Sequence, residues 1–433
     1  MKKSFTILIL SIIIYFFPVW NGTFAQEPLD FMAFGNNPVL THGNPGSYDA
    51  TMCIIPYALW HDQIFYLYYT GDEGICLATS PDGYNYTKFT GNPLLIPSAS
   101  GFDSYGVSQG VVLEVGSKWV MYYNGRDAAG YGPGKYVGRA TSDSLTGVWE
   151  RSANPVLTVG GTGEWDEGFI TPNMVIPMDM GGYIMFYSAS SDFFTGYWEI
   201  GMATSQDGIT WTKYNDPSTT FPPYNDSDPV LKVGASGEWD EGAAWECTVI
   251  FKHGYYEMYY SGAVPTANAI GYAWSDDGIT WEKWPENPIY ITQDDPYAVN
   301  TNSPIEVPSL LIYNETVFMY YDYGTAENSI GVATADVWVG KEDKEITNYE
   351  LRITNYPNPV SQSTTFSYTL KEPGHVTIQV FNSFGQLVAE PLNAQQTKGE
   401  QKVTWDAENL PSGIYFYRIQ AGKEAGGGKM IKL

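Results

Sequence analysis

Ala203-Thr204-Ser205-Gln206-Asp207-Gly208-Ile209-Thr210-Trp211 returns downstream as Ala273-Trp274-Ser275-Asp276-Asp277-Gly278-Ile279-Thr280-Trp281. Both read as a strand, a tight Asp-Gly turn and a second strand, with glycine where a hairpin needs positive φ. Ala78-Thr79-Ser80 followed by Asp82-Gly83 is an earlier copy, and Ala140-Thr141-Ser142 and Ala333-Thr334-Ala335 are weaker ones. Upstream of each lies a strand ending in a tyrosine pair or its equivalent: Tyr68-Tyr69, Tyr122-Tyr123, Phe186-Tyr187, Tyr259-Tyr260 and Tyr320-Tyr321. Downstream come an aromatic (Tyr86, Trp149, Trp211, Trp281) and a short Asn/Asp-Pro strand at Asn92-Pro93, Asn154-Pro155, Asp228-Pro229 and Asn287-Pro288. Four strands per repeat is the content of a propeller blade, and five repeats predict an all-β, five-bladed β-propeller. The fifth repeat lacks its Asn-Pro strand. The missing piece stands at the other end of the region, where Phe34-Gly35-Asn36-Asn37-Pro38-Val39-Leu40 parallels Phe89-Thr90-Gly91-Asn92-Pro93-Leu94-Leu95. Residues 31–40 are therefore expected to complete blade five, closing the ring and hiding its sheet edges.

Charge separates this region from its flanks. The chain of 433 residues carries a formal charge of −26, yet residues 27–340 alone carry −28, and residues 341–433 are neutral. So few cations exclude a phosphate backbone and an anionic lipid surface as partners. The composition, 43% hydrophobic and 16% aromatic, is ample for a core. Met1-Lys2-Lys3, an apolar run from Phe5 to Trp20 and Thr23-Phe24-Ala25 read as a signal peptide over residues 1–25. No later stretch is apolar enough for a transmembrane helix. Cys53, Cys76 and Cys247 lack the spacing of a zinc site and are expected as buried thiols.

Gly340-Lys341-Glu342-Asp343-Lys344 opens a linker over residues 341–353. Short alternating strands follow at 364–370, 376–381, 401–405 and 414–419, which read as a small β-sandwich. Tyr356-Pro357-Asn358-Pro359, Val380-Phe381-Asn382-Ser383-Phe384-Gly385-Gln386, Leu410-Pro411-Ser412-Gly413-Ile414-Tyr415 and the terminal Lys429-Met430-Ile431-Lys432-Leu433 resemble the type IX secretion (Por) C-terminal sorting domain, over residues 354–433. That resemblance implies passage across an outer membrane by the type IX machinery to a secreted or surface location.

Within the propeller, Asp49, Asp103, Asp166 and Asp240 precede the inner strands of four units. They are open to two readings: a ring of axial carboxylates, or turn chemistry that holds each repeat together. Residues that break the repeat are better candidates for chemistry. Glu246, in Trp245-Glu246-Cys247, and Glu306, in Ile305-Glu306-Val307-Pro308, fall in inner strands where other units have Ile54 or Ile55, Gln109, and Ile170 or Thr171. Burial raises the pKa of such a glutamate, as a general acid at neutral pH requires. Arg126, one of three arginines in the propeller, and Gln109 are candidates for substrate hydroxyls. Tyr57, Trp60, Tyr131, Trp198 and Trp245 are candidates for stacking on sugar faces.

The Ser-x-Asp-Gly-x-x-Trp turns are one residue shorter than a sialidase Asp-box, and three arginines are too few for a sialidase. The repeat as a whole resembles the five-bladed glycosidase superfamily of glycoside hydrolase families 43 and 32, over residues 31–338. The resemblance rests on Asp-Gly-Ile-Thr-Trp, the Asn-Pro strand, Glu306 with its following proline, and Glu246-Cys247. It implies three catalytic carboxylates, carried over as Asp49, Asp103 and Glu246, or Glu306 in place of Glu246. Where the family has Asp-Pro in blade one, this chain has Ile55-Pro56.

The expected function is that of a secreted glycoside hydrolase acting on an arabinan-, xylan- or fructan-type carbohydrate. The alternative is a glycan-binding propeller without catalysis. A phosphorylase is disfavoured by the shortage of cations. No cofactor is required by this chemistry, no metal site is spelled out by spacing, and calcium bound by aspartates and carbonyls is compatible with the acidity.

Overall fold

A computed structural model describes residues 27–127, 134–178, 181–252, 255–264, 267–336, 353–382, 387–408, 410–411, 413–421 and 424–432. The expected signal peptide and most of the expected linker lie outside these residues.

Five antiparallel units follow one another. Their inner strands are Ile54–His61, Gly106–Val115, Phe169–Pro177, Ala243–Lys252 and Glu306–Tyr313. Each pairs with a second strand carrying the tyrosine pair, and that with a third: Gly74–Ser80, Tyr136–Ser142, Trp198–Ser205, Ala267–Ser275 and Ser329–Asp336. In the first four units a two-residue outer strand completes the sheet, as Thr212–Lys213 does beside Thr204 and Ala203. In the fifth, Met32–Ala33 and Leu40–Thr41 take that place, with Met32 opposite Thr334 and Leu40 opposite Ile330. Residues 32–33 and 40–41 thus stand in the fifth unit where the two-residue outer strands stand in the others. The Asn-Pro motif explains this placement. Asn37 exchanges two hydrogen bonds with the backbone of Val332 (both 3.0 Å), as Asn92 does with Leu77 (both 2.8 Å) and Asn287 with Tyr272 (2.8 and 2.9 Å).

The tyrosine pair builds the ring because adjacent side chains on a strand point to opposite faces. The first member reaches the next unit. Tyr68 donates to the Leu145 carbonyl of unit two (2.9 Å), Tyr122 to Gly208 of unit three (2.7 Å) and Tyr320 to Gly83 of unit one (2.9 Å). Phe186 instead packs edge-on against Trp281 of unit four, ring centroids 5.8 Å apart. The second member stays in its own unit, where Tyr69, Tyr123, Tyr260 and Tyr321 donate to Asp49, Asp103, Asp240 and Asp295 (2.6–2.9 Å). These phenols are buried and each supplies the hydrogen bond its burial demands.

The C-terminal strands form a three-stranded sheet (Ile353–Tyr356, Ser363–Leu370, Gly399–Asp406) and a four-stranded one (Leu387–Gln396, Gly374–Asn382, Gly413–Ala421, Glu424–Lys432). Phe366 and Tyr368 of the first share one core with Ile378, Val380, Tyr417 and Ile419 of the second. Cys53, Cys76 and Cys247 are free and buried. Among the described residues no helix is long and apolar enough to cross a membrane.

Candidate functional site

Every inner strand bulges close to its first residues, at the front face of the ring. The register slips between Ile54 and Tyr57, Ser108 and Val111, Pro172 and Met174, Trp245 and Cys247, and Glu306 and Ser309. Ile55, Gln109, Glu246 and Val307 take positive φ there, between 36° and 58°. Such bulges bend a strand and re-aim a side chain.

The residue following each tyrosine pair holds the bulge of the next unit. Thr70 accepts from Gln109 N (3.0 Å), Ser188 from Glu246 N (2.7 Å) and Ser261 from Val307 N (2.7 Å), while Asn124 donates to the Ile170 carbonyl (2.6 Å). In unit five this residue is Asp322, whose Oδ2 accepts from Ile55 N of unit one (2.9 Å). Four units use a neutral side chain for this bond, and the fifth uses a carboxylate.

The result is an acidic cluster on the axis. Glu306 stands directly opposite Asp322 in the strand register. Asp322 and Glu246 are 2% and 7% exposed, and Glu306 is half-buried. Asp322 Oδ1 also accepts from Gly324 N (2.9 Å), and Asn268 donates to Glu306 Oε2. Gly324, at φ +58°, is held close: a Cβ there would meet Glu306 Oε1 at 2.8 Å. Among the described residues none of the three carboxyls has an ion-pair partner. Burial pushes all three up from the ordinary carboxyl range. Glu246 is raised further by the negative charges of Asp322 and Glu306, and Asp322 by Glu306. Like charges in one buried site cannot all ionise, so the cluster retains a proton in conditions where an exposed carboxyl has lost its own.

Beneath the cluster lies an axial cavity of about 20 Å³, lined by residues including Ile55, Tyr57, Gln109, Asn173, Glu246 and Val307. That is room for about one water and too little for an organic ligand. Gln109 accepts from Thr171 Oγ1 (2.7 Å) and its amide meets that of Asn173 at 3.2 Å. Burial pushes the Tyr57 phenol up and the Cys247 thiol up to about 12, so both are neutral at physiological pH.

The residues named from sequence divide clearly. Glu246, Glu306, Gln109 and Tyr57 come together on the axis. Asp49 and Asp103 do not, and each is held by other partners in its own unit. Asp49 accepts from Tyr69 (2.8 Å), Ser47 (3.0 Å) and Lys88 (2.5 Å). Asp103 accepts from Tyr123 (2.8 Å) and Ser98 and forms an ion pair with Arg151 (3.1 Å). Asp166 and Asp240 are held likewise by Lys213 (2.5 Å) and Lys283 (2.7 Å). A buried carboxylate paired with a cation of its own unit's outer strand is a clamp that fixes each loop to its own sheet.

Trp60 is also displaced. It lies at the far end of its strand, where it packs on Tyr313 with centroids 5.0 Å apart. Arg126 stands on the front rim over the Tyr105 ring (5.6 Å) and packs on Gly106, beside the axis rather than in it. Trp245 and Trp198 meet edge to face on the front side, 5.0 Å apart. Tyr131 lies outside the described residues. Asp322, Asn173 and Asn268 were missed by sequence reasoning. Asp322 carried a usable signal, since the position after the tyrosine pair otherwise holds Thr70, Asn124, Ser188 and Ser261. Among the described residues no group of three or more His, Cys, Asp or Glu side chains is arranged to hold a metal ion.

Residues 354–432 match the family described as secretion system C-terminal sorting domain. This domain directs the chain through type IX secretion to the cell surface or the extracellular space. The uncharacterized protein MT1551 of Mycobacterium tuberculosis (strain CDC 1551 / Oshkosh) is 26% identical over 301 residues, which is 65% of this chain and 92% of that protein. A putative glycosidase from Bacteroides thetaiotaomicron matches with a TM-score of 0.56 at 18% identity, covering 72% of this chain and 97% of its own. A thermostable family-43 glycoside hydrolase matches with a TM-score of 0.51 at 20% identity, covering 70% and 94%. The shared feature is the fold, a β-propeller of the kind found in glycoside hydrolases.

Proposed function

We propose that this exported propeller hydrolyses glycosidic bonds in an arabinan-, xylan- or fructan-type carbohydrate at the front mouth of its axis. The observation that carries this reading is the cluster of Glu246, Glu306 and Asp322, three carboxyls brought together with no ion-pair partner among the described residues, where the repeat departs from its own pattern.

The roles follow from the hydrogen bonds. Both Asp322 oxygens accept backbone N–H groups, from Ile55 and Gly324, which fix the carboxyl's orientation and offset part of the cost of its burial. Glu306 is the more accessible of the pair, and so it is the one assigned to deliver a proton to the leaving oxygen. Asp322 is then the base that activates water, or the nucleophile at the anomeric carbon. Glu246, buried beside them, keeps its own proton because of its burial and the charges of the pair. Asp322 also offers an account of Ile55-Pro56. The carboxylate that related glycosidases are expected to carry in blade one is supplied here by blade five, bonded to the backbone of Ile55 itself.

The test is hydrolysis of arabinan, xylan, fructan and aryl glycosides by the purified protein beside Glu306→Gln and Asp322→Asn. Sugar release by wild type, falling on the order of 10²–10⁴-fold in either variant, is expected. Binding of a glycan with no turnover by wild type would overturn the hydrolase reading in favour of a glycan-binding propeller.

A further inference from the structure

A second cavity opens on the same front face, between units two and three. Its volume is about 490 Å³, within the ~300–1,000 Å³ span of small-molecule sites. Lys135, Thr162, Glu167 and Asp192 give it polar walls, and Phe193 and Phe194 an aromatic one.

The two phenylalanines stand on a segment that is locked rather than loose. Asp192 Oδ1 accepts from Phe194 N (3.0 Å), Thr195 N (2.8 Å) and Thr195 Oγ1 (2.8 Å). The Asp192 carbonyl accepts from Gly196 N (2.9 Å) and Ser190 Oγ (2.8 Å). These bonds hold the Asp192 carboxyl below its usual range. The turn presents Phe194 at 73% exposure, a position no core requires.

From this cavity an unbroken aromatic path leads to the axis. Phe193 packs edge-on against Trp198 (5.2 Å), Trp198 against Trp245 (5.0 Å), and Trp245 is followed in sequence by Glu246.

We infer that this cavity is a distal subsite for a glycan chain, holding sugar units several residues away from the bond that is cut. The inference rests on the hydrolase reading for its direction along the chain, but the binding it predicts is separate from turnover. A rigid exposed aromatic ring beside carboxylates and an ammonium offers a sugar both its apolar face and its hydroxyl partners. Pre-ordering by Asp192 removes the entropy cost that a mobile loop would add to binding. The protein should therefore prefer chains long enough to reach from the axis to Phe194.

The test uses the full chain carrying Glu306→Gln, so that glycan is bound without being consumed. Its affinity for soluble arabinan, xylan and inulin is measured with and without Phe194→Ala, whose exposed side chain can be removed without opening the core. Around a tenfold loss of affinity for the polysaccharide that binds best is expected, with no change for a monosaccharide or disaccharide of the same sugar. In the active protein, Phe194→Ala should lower kcat/KM about tenfold on long chains and leave aryl-glycoside turnover intact. Unchanged polysaccharide affinity in both Phe194→Ala and Phe193→Ala would overturn the subsite. Failure of wild type to hydrolyse any glycan would overturn the hydrolase reading while leaving the binding result to stand alone.

Discussion

Two sets of buried carboxylates occupy the propeller, and they differ in their partners. Asp49, Asp103, Asp166 and Asp240 each bind a lysine or arginine, and three of them the second tyrosine of their unit's pair. Glu246, Glu306 and Asp322 face one another and backbone or amide N–H groups, with no ion-pair partner among the described residues. The first set recurs with the repeat and holds it together. The second arises where the repeat is broken, and its protons are free to take part in chemistry. Acidity alone therefore says little about a site of this kind; the pairing of each acid decides its use.

The largest expected effect breaks the comparison at the axis. Glu306→Gln or Asp322→Asn should cost on the order of 10²–10⁴-fold in kcat/KM. The melting temperature should hold or rise, because a buried carboxyl with no cation is replaced by a neutral amide. Next comes the clamp set: Asp49→Ala or Asp240→Ala leaves Lys88 or Lys283 beside a buried void. Urea unfolding should show a loss of about 3–5 kcal/mol, with turnover per folded molecule little changed.

Glu199 sharpens the comparison between these extremes. It is buried near Lys232, and burial outweighs the attraction of that lysine, so its pKa is pushed up to about 7. The folded state then binds more protons than the unfolded chain from the ordinary glutamate range up to about pH 7. Stability contributed by this group falls as pH rises through that window and is level above it. Glu199→Gln should remove that slope and add up to about 3 kcal/mol at pH 8, read from unfolding midpoints between pH 5 and 8. The smallest effect belongs to the turns. Ser205 Oγ accepts from Gly208 N at 2.9 Å, and Ser205→Ala should cost about 1 kcal/mol by the same measurement.

The repeat made most of the fold legible in advance. Tyrosine pairs, Asp-Gly turns and Asn-Pro strands each mark one bond of the unit, and the displaced copy at residues 34–40 marks the closure. Other strands carried no such mark. Leu387–Gln396 contains Pro391, and Glu424–Lys432 contains three successive glycines, both of which lower strand propensity. Tertiary pairing overrides that preference.

Two of the three carboxyls of the axial cluster were visible in the sequence, whereas the pairing of the clamps was not. Glu246 and Glu306 interrupt apolar strands and so stand out. Asp49 and Asp103 were favoured by analogy of position, while the groups that neutralise them, Lys88 and Arg151, lie 39 and 48 residues further on and reach them only through the fold. Asp322 escaped notice because it ends the tyrosine strand, and only the bond to Ile55 N shows that it belongs to the neighbouring unit's bulge.

The most direct test sets one carboxylate of each kind side by side. Asp322→Asn and Asp103→Asn are compared for kcat/KM on the best-hydrolysed glycan, normalised to the folded fraction. The predicted result is a loss of at least about 10²-fold for Asp322→Asn, and near wild-type turnover per folded molecule for Asp103→Asn. Full activity in Asp322→Asn, or its disappearance in a folded Asp103→Asn, would contradict the assignment of chemistry to the axis and structure to the clamps.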